Sequence, residues 1–312
     1  MTCLHCGKPI GTDDGHRGWH RRCIRNFFDV RQFPEIDLTT RSLEELARRS
    51  VSTGVTVAGV QRKLSIHLSH VDGTDRMTLV GYPAGFILKP PSPDYPHLPE
   101  IEHLTMSLAD AVGITTVPHA LVELADGALA YITRRIDRRP EPPHRVPMED
   151  LCQISERLTE DKYRGSYEQI AKHVARHSGR PGIDLSELFL VVVFSFVTGN
   201  ADMHLKNVSL YRPGDEWILA PAYDLLSTVL VLPDDPEETA LTLNGKKRRL
   251  NRSDFVAFGA TAGLNPKAID GLIRSIVRRE PHLLAAVDEA ILPGDLKHRF
   301  REVIAERTAL LR

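Results

Sequence analysis

Asn200-Ala201-Asp202-Met203-His204-Leu205-Lys206-Asn207 places an aspartate five residues before an asparagine, just after a long apolar run. A second aspartate follows in Ala222-Tyr223-Asp224-Leu225, again among apolar residues. Transfer of a phosphoryl group from a nucleotide calls for this set of groups. One carboxylate takes or orients the proton of the attacking hydroxyl, while an Asn oxygen and a second carboxylate hold metal ions on the phosphates. Asp202 is the candidate for the first role. Asn207 and Asp224 are the candidates for the second, as hard oxygen ligands of the kind Mg²⁺ prefers. His204 and Lys206 either orient Asp202 or neutralise phosphate charge. Asn and Asp are also common in turns and caps, so this stretch needs support from elsewhere in the chain.

The Asp-to-Asn interval equals that of the protein-kinase catalytic loop, H-R-D-L-x-x-x-N. Upstream, Gly85-Phe86-Ile87-Leu88-Lys89 reads as a strand ending in a lysine and stopped by Pro90-Pro91. Such a lysine reaches nucleotide phosphates when a helix carboxylate positions it, and Glu102, in the helix expected over residues 100–112, is the best partner. Alone, Lys89 would read as an edge-strand lysine in water. Residues 54–63, Gly54-Val55-Thr56-Val57-Ala58-Gly59-Val60-Gln61-Arg62-Lys63, form a small-residue loop before a strand. Its glycines let backbone amides come close to phosphate oxygens. The loop is neither G-x-G-x-x-G nor a Walker A sequence. Thr56 and Ser52 or Thr53 are hydroxyls there that a kinase can modify.

The 312 residues allow about two domains or one of two lobes. With 42% hydrophobic and 26% charged residues and a net charge of −1, there is no basic excess, and no direct nucleic-acid binding is expected. The most apolar segment, residues 188–197, is too short to span a bilayer. The start, Met1-Thr2-Cys3-Leu4-His5-Cys6, has no signal-peptide pattern. A cytoplasmic protein with no membrane partner is the expectation.

Three segments separate. Residues 1–35 are rich in Cys, His and Gly and look like a small domain that needs a staple. Residues 36–138 mix strands with helix in a small α+β lobe. A helix is expected over 43–49, with Ser42 as N-cap and Glu45 three residues on. Strands are expected at 64–68, and a hairpin at 120–124 and 128–132 around Asp126-Gly127. A proline-rich connection follows at 138–144. Residues 139–312 are mainly helical, with helices expected over 167–176, 185–198, 254–262, 266–277, 282–290 and 296–311. The 185–198 helix is apolar on nearly every side, so it belongs inside the lobe. Residues 232–239, with two prolines and four acidic residues, look loose.

Cys3-x2-Cys6 and His20-x2-Cys23 make a Cys₃His set whose spacing suits tetrahedral zinc in a structural role. His5 or His16 is an alternative to His20. Clustered thiols of this kind fit a reducing compartment, and Cys152 reads as a small core residue.

Several segments taken together resemble the HipA family of bacterial toxin kinases. They are Val57-Ala58-Gly59-Val60-Gln61-Arg62-Lys63, Phe86-Ile87-Leu88-Lys89-Pro90, and Glu102 with Met106 and Leu108-Ala109. Then come Tyr131-Ile132-Thr133-Arg134-Arg135-Ile136-Asp137-Arg138, residues 199–207, and Leu219-Ala220-Pro221-Ala222-Tyr223-Asp224-Leu225-Leu226. They stand in the family's order over roughly residues 50–230. The resemblance implies a bilobal, protein-kinase-like α+β fold that uses ATP and Mg²⁺. It implies a Ser/Thr kinase that acts as the toxin of a type II toxin-antitoxin system on a host protein, in known members an aminoacyl-tRNA synthetase. Lys89 would contact ATP phosphates, with Glu102, Gly59, Gln61 and Lys63 also in the nucleotide site and Asp137 near the ribose. Asp202 would be catalytic, and Asn207 and Asp224 would hold Mg²⁺. Thr56 lies where the family's loop carries an autophosphorylated serine, and Ala58 replaces a second serine of the short forms. The glycine loop begins by residue 54, so the extra N-terminal domain of longer HipA proteins is expected to be absent, as in the short HipT-like kinases. Their partners are separate antitoxin proteins, one of them DNA-binding. The alternatives are a kinase-fold enzyme acting on a lipid or small metabolite, or an inactive kinase-like regulatory binding module. The intact set of Lys89, Asp202, Asn207 and Asp224 argues against the last.

Overall fold

The computed structural model describes residues 1–11, 15–43, 45, 63–80, 84–139 and 145–312. They divide into two units. The first takes Met1–His103 and Val117–Arg145, the second Leu104–Thr116 and Val146–Arg312.

In the first unit, β1 (Gly15–His16) and β2 (Trp19–His20) form a short hairpin that runs into the helix Arg21–Phe28. Next to it lies a five-stranded antiparallel sheet. Its strands are β3 (Leu64–Val71), β4 (Thr74–Leu79), β5 (Phe86–Lys89), β6 (His119–Glu123) and β7 (Leu129–Arg134), in the order β4-β3-β5-β7-β6. The expected strand at 64–68 runs on to Val71. It turns through Asp72 (φ 51°) and Gly73 (φ 78°), two left-handed residues whose twist suits a tight hairpin. Its partner β4 carries no apolar alternation, because only Met77 is buried there, so the sequence pattern missed it. The hairpin at Asp126-Gly127 is present as β6 and β7, with Gly127 at φ 80°.

The N-terminal segment shares the core of this sheet. Leu121 N donates to Leu4 O (2.9 Å), and Trp19 Nε1 donates to Leu121 O (3.2 Å), along β6. The rings of Trp19, Phe27 and Phe28 pack at 4.8–5.5 Å, and Phe27 and Phe28 reach Phe86 of β5 at 5.8 and 5.7 Å. Buried rings of this size carry most of a small segment's hydrophobic stabilisation. So residues 1–35 hold an aromatic core as well as their cysteines.

The helix cap near residue 42 differs from expectation. Ser42 N donates to Thr39 Oγ1 (3.1 Å), and Thr39 N donates to Ser42 Oγ (2.9 Å). Thr39 therefore caps the helix and Ser42 answers it from the first turn. A cap needs a side-chain oxygen just upstream of the first open amides, and Thr39 supplies it. Residues 46–49 of that expected helix lie outside the described residues.

In the second unit the central element is the helix Pro181–Val197, buried at every position from Val191 to Val197. Its one deeply buried charge, Asp184, accepts from Ser178 Oγ (2.6 Å) and Leu219 N (2.7 Å) and pairs with Arg180 Nε (2.9 Å). A buried carboxylate is tolerated only with such partners. Around it lie the helices Tyr167–His177, Arg252–Thr261, Pro266–Glu289 and Gly294–Ala309. A small antiparallel sheet, β8 (Met148–Asp150), β9 (Ser209–Tyr211) and β10 (Ile218–Leu219), completes the unit in the order β10-β9-β8. The two helices expected over 266–277 and 282–290 are one, running through Pro281. Proline removes an amide donor and usually ends a helix. Here Ile269, Ile273, Ile276, Leu283 and Val287 keep one buried stripe across it, and that packing carries the helix on. Residues 232–239 are irregular, as expected, but pinned: Glu238 N donates to Lys247 O (2.9 Å), Lys247 Nζ holds Glu237 (3.0 Å), and Thr239 is buried. Among the described residues no helix is long and apolar enough to cross a membrane.

Candidate active site

In the second unit, the stretch quoted first leaves the central helix through Gly199, whose φ of 70° is left-handed. A Cβ there would stand 2.4 Å from Val229 Cγ1, so glycine is required twice over. Thr228 Oγ1 donates to Gly199 O (3.1 Å) and accepts from Ala201 N (2.8 Å). Asn200 Oδ1 accepts from Asp202 N (3.0 Å), an Asx turn. Asn207 Nδ2 donates to Asp202 O (2.9 Å) and closes the loop. Met203, His204 and Leu205 are buried, whereas the Asp202 side chain is 43% exposed. The loop is thus clamped from behind and presents one carboxylate.

Tyr163 Oη donates to that carboxylate, 2.5 Å from Oδ1. His204 Nε2 is 4.0 Å from the same oxygen, too far for a hydrogen bond. The Tyr163 and His204 rings meet edge to face at 5.0 Å. Burial lowers the His204 pKa against the opposing charge of Asp202, so the imidazole is kept neutral. Burial, and then the Asp202 hydrogen bond, push the Tyr163 phenol up, so it stays a donor. Lys206 Nζ pairs with Asp150 Oδ2 (2.8 Å), not with Asp202.

The β9–β10 hairpin turns the chain that carries Asp224 back toward the segment that carries Asn207. Leu219 faces Leu210, and Ala220 N donates to Ser209 O (2.9 Å), so the chain beyond Ala220 runs back past Asn207. Tyr223 Oη donates to Lys206 O (2.9 Å) and lies 2.5 Å from Ser209 Oγ. Asn207, Ala222, Tyr223 and Leu225 line one pocket. Asp224 itself has a φ of 60°, a left-handed conformation that Asp adopts more readily than most residues. Its charge is felt at His204.

In the first unit, Lys89 ends β5, the middle strand, opposite Tyr131 of β7. It is not an edge lysine. Its ammonium pairs with Glu102, and the two side chains are only 3% and 1% exposed. Lys89 Nζ also lies 5.2 Å from the centre of the Tyr131 ring. The Asp137 carboxylate is held on both oxygens by Arg135 (2.9 and 2.7 Å) and by Arg138 (2.5 Å). Lys63 stands half-buried one residue ahead of β3. Thr56, Gly59 and Gln61 lie outside the described residues.

The four N-terminal ligand atoms of Cys3, Cys6, His20 and Cys23 all lie within 4.8 Å of one another. His20 Nδ1 is 3.4 Å from Cys6 Sγ and 3.8 Å from Cys23 Sγ, while His20 Nε2 meets Pro9 O at 3.0 Å. A proton on Nε2 leaves Nδ1 as the ligand. His5 packs instead against Trp19 and Phe27, and His16 is exposed on β1. Burial raises the Cys3 thiol, but the amides of Cys6, His20 and His5 outweigh it and draw the thiol down. Burial, and then the charge of Cys3, raise Cys23.

The sequence gives no signal for Tyr163, Asp150 and Thr228, because each reaches the site across a tertiary contact, and it shows Tyr223 only as the neighbour of Asp224.

Residues 55–283 match the family described as HipA-like C-terminal domain. A Haemophilus influenzae protein named "Putative kinase" is 25% identical over 97% of this chain and 95% of its own length. The Shewanella oneidensis serine/threonine-protein kinase toxin HipA is 26% identical over 77% of this chain and 59% of its own length. Among solved structures, Shewanella oneidensis HipA in complex with HipB and operator DNA superposes with a TM-score of 0.69 at 20% identity, covering 88% of this chain and 71% of that one. The Helicobacter pylori proinflammatory kinase CtkA gives 0.55 at 14% identity, covering 79% and 93%. Both neighbours share the kinase-like α+β fold expected from the sequence.

Proposed function

The chain belongs to the HipA-like C-terminal domain family, and on that premise we propose that it is an ATP- and Mg²⁺-dependent Ser/Thr protein kinase, the toxin of a type II toxin-antitoxin system. The observation that carries this reading is the clamped loop, in which Asn207 Nδ2 is spent on Asp202 O and a single accessible carboxylate is presented. With its Nδ2 engaged, Asn207 keeps Oδ1 as the atom to ligate. Together with the Asp224 carboxylate this makes a hard oxygen set that fits Mg²⁺. When bound, the ion would draw charge from the phosphate oxygens. Asp202 accepts the proton of the acceptor hydroxyl. Lys89, kept in place by Glu102, supplies a fixed cation for nucleotide phosphates. His204 packs behind Asp202 as a neutral ring, and Lys206 holds the loop to Asp150.

The acceptor is a host protein, by family resemblance an aminoacyl-tRNA synthetase, and Thr56 is a further acceptor within the chain. The HipB complex of the Shewanella HipA supports an antitoxin partner that binds DNA. The chain divides in this reading into the segments 1–35, 36–138 and 139–312, the first of them packed on the sheet of the second. Zn²⁺ on Cys3, Cys6, His20 and Cys23 is the structural metal we assign to the first. Tetrahedral thiolates about 2.3 Å from zinc stand about 3.8 Å apart, the scale of this cluster.

The test is phosphate transfer from labelled ATP into lysate proteins, with growth inhibition on expression. Asp202→Asn should lower transfer by about 100-fold or more, as loss of a general base does. Asp224→Asn should abolish it. Transfer at the wild-type rate by Asp202→Asn would sink the assignment.

A further inference from the structure

A general base must lie within hydrogen-bond reach of the proton it takes, about 2.5–2.7 Å for a hydroxyl on a carboxylate oxygen. Among the described residues one hydroxyl meets that demand at Asp202, the Tyr163 phenol at 2.5 Å. The contact is built rather than incidental. The Tyr163 ring stands edge to face on His204 at 5.0 Å, with Lys162 Nζ 4.9 Å from its centre. Lys162 O accepts from Leu205 N (3.1 Å), so the backbone beside Tyr163 is fastened to the loop that carries Asp202. The phenol is neutral, raised by burial and by Asp202, and so needs a base to react as a serine hydroxyl does. Tyr163 is 41% exposed, so the residue is not sealed in the interior.

We propose that Tyr163 is an internal phosphate acceptor, modified within its own chain with Asp202 as the base. The inference rests on the reading of Asp202 given above. A bond forms between Tyr163 Oη and the γ-phosphorus of ATP as the bond to the β,γ-bridging oxygen breaks. ADP leaves with that electron pair, and the phenolic proton passes to Asp202. Fixed intramolecular placement makes such a hydroxyl a strong competitor of any acceptor arriving from solution. The product cannot keep its place. A phosphotyrosine carries nearly two negative charges, and Asp202 repels it. Lys162, beside the ring, and the exposed Arg164, which pairs with Asp161, flank it with cations. Phosphorylation thus withdraws Tyr163 and opens Asp202 to other hydroxyls.

The experiment takes the full chain, freed of phosphate by a phosphatase, and adds Mg²⁺ and ATP with casein as a generic protein acceptor. Peptide mass mapping should find phosphate on Tyr163 in the wild type and none there in Asp202→Asn. The rate should not depend on protein concentration, and casein labelling should begin after a lag that follows Tyr163 modification. Phosphate on casein or on other residues while Tyr163 stays unmodified overturns the proposal and leaves the kinase reading intact. A Tyr163 rate that rises with protein concentration overturns modification within one chain. Transfer to no acceptor at all sinks both readings.

Discussion

Lys89 shows how far a single residue can be read. Its type and its place at a strand end are visible in Phe86-Ile87-Leu88-Lys89, and so is a carboxylate on the following helix. That β5 lies in the middle of the sheet, turning an edge lysine into a buried one, depends on strand order. The buried pair has a testable energy. Glu102→Gln leaves an ammonium in the interior without its counter-charge, and a cost of about 3–5 kcal/mol is expected. Lys89→Met with Glu102→Leu should recover most of it, because no lone charge remains. Urea unfolding of the three proteins checks the order, and equal losses would contradict it. Gly199 is the second such residue. Gly199→Ala must adopt a left-handed φ and push Val229 aside, for about 1–3 kcal/mol each from strain and overpacking. A thermal midpoint equal to wild type would show that the helix exit relaxes without penalty. Tyr163 was beyond sequence reading altogether, since a tyrosine 39 residues before Asp202 has no local reason to meet it.

Elements with a strong local period were legible. The helix Tyr167–His177 and the β6–β7 hairpin fall within one or two residues of their expected bounds. Elements that depend on neighbours were not. β4 buries one residue, and β8, β9 and β10 are two or three residues long, so their pairing partners alone make them strands. Pro281 misled in the other direction, because its local rule was overridden by the buried stripe around it. The N-terminal segment gives the prediction at this scale. The purified protein should hold one zinc per chain, and Cys6→Ser should lose it. Trp19, buried beside the cluster, should then redden in fluorescence, and residues 1–35 should become open to protease. An unchanged Trp19 signal and protease map in a zinc-free protein would mean that the aromatic core alone holds the segment.

For the molecule as a whole, pH dependence gathers groups from both units. Burial, and then His119, hold His103 well below the usual imidazole range, and burial lowers His204. For each, the folded pKa lies below the unfolded value of about 6.5. The unfolded chain therefore binds more protons as pH falls, and the stability present above that value is lost toward the folded pKa. Burial alone would raise Asp254, but Lys246 and Asn244 hold it down, which adds a loss of the same sign in the carboxylate range, below about pH 4. The urea midpoint should drop between pH 7.5 and 5.5, and His103→Asn should show a smaller drop. An equal drop in that variant would remove His103 from the account. By itself the sequence determined the α+β class, the elements of strong local period and the chemical inventory from Lys89 to Asp224. These follow from local periodicity and from residue types, which act over a few neighbours. The tertiary structure alone decided which strand is central, that Lys206 answers Asp150, and that a tyrosine hydroxyl rests on Asp202. Those outcomes turn on contacts between distant parts of the chain, and no local period encodes them.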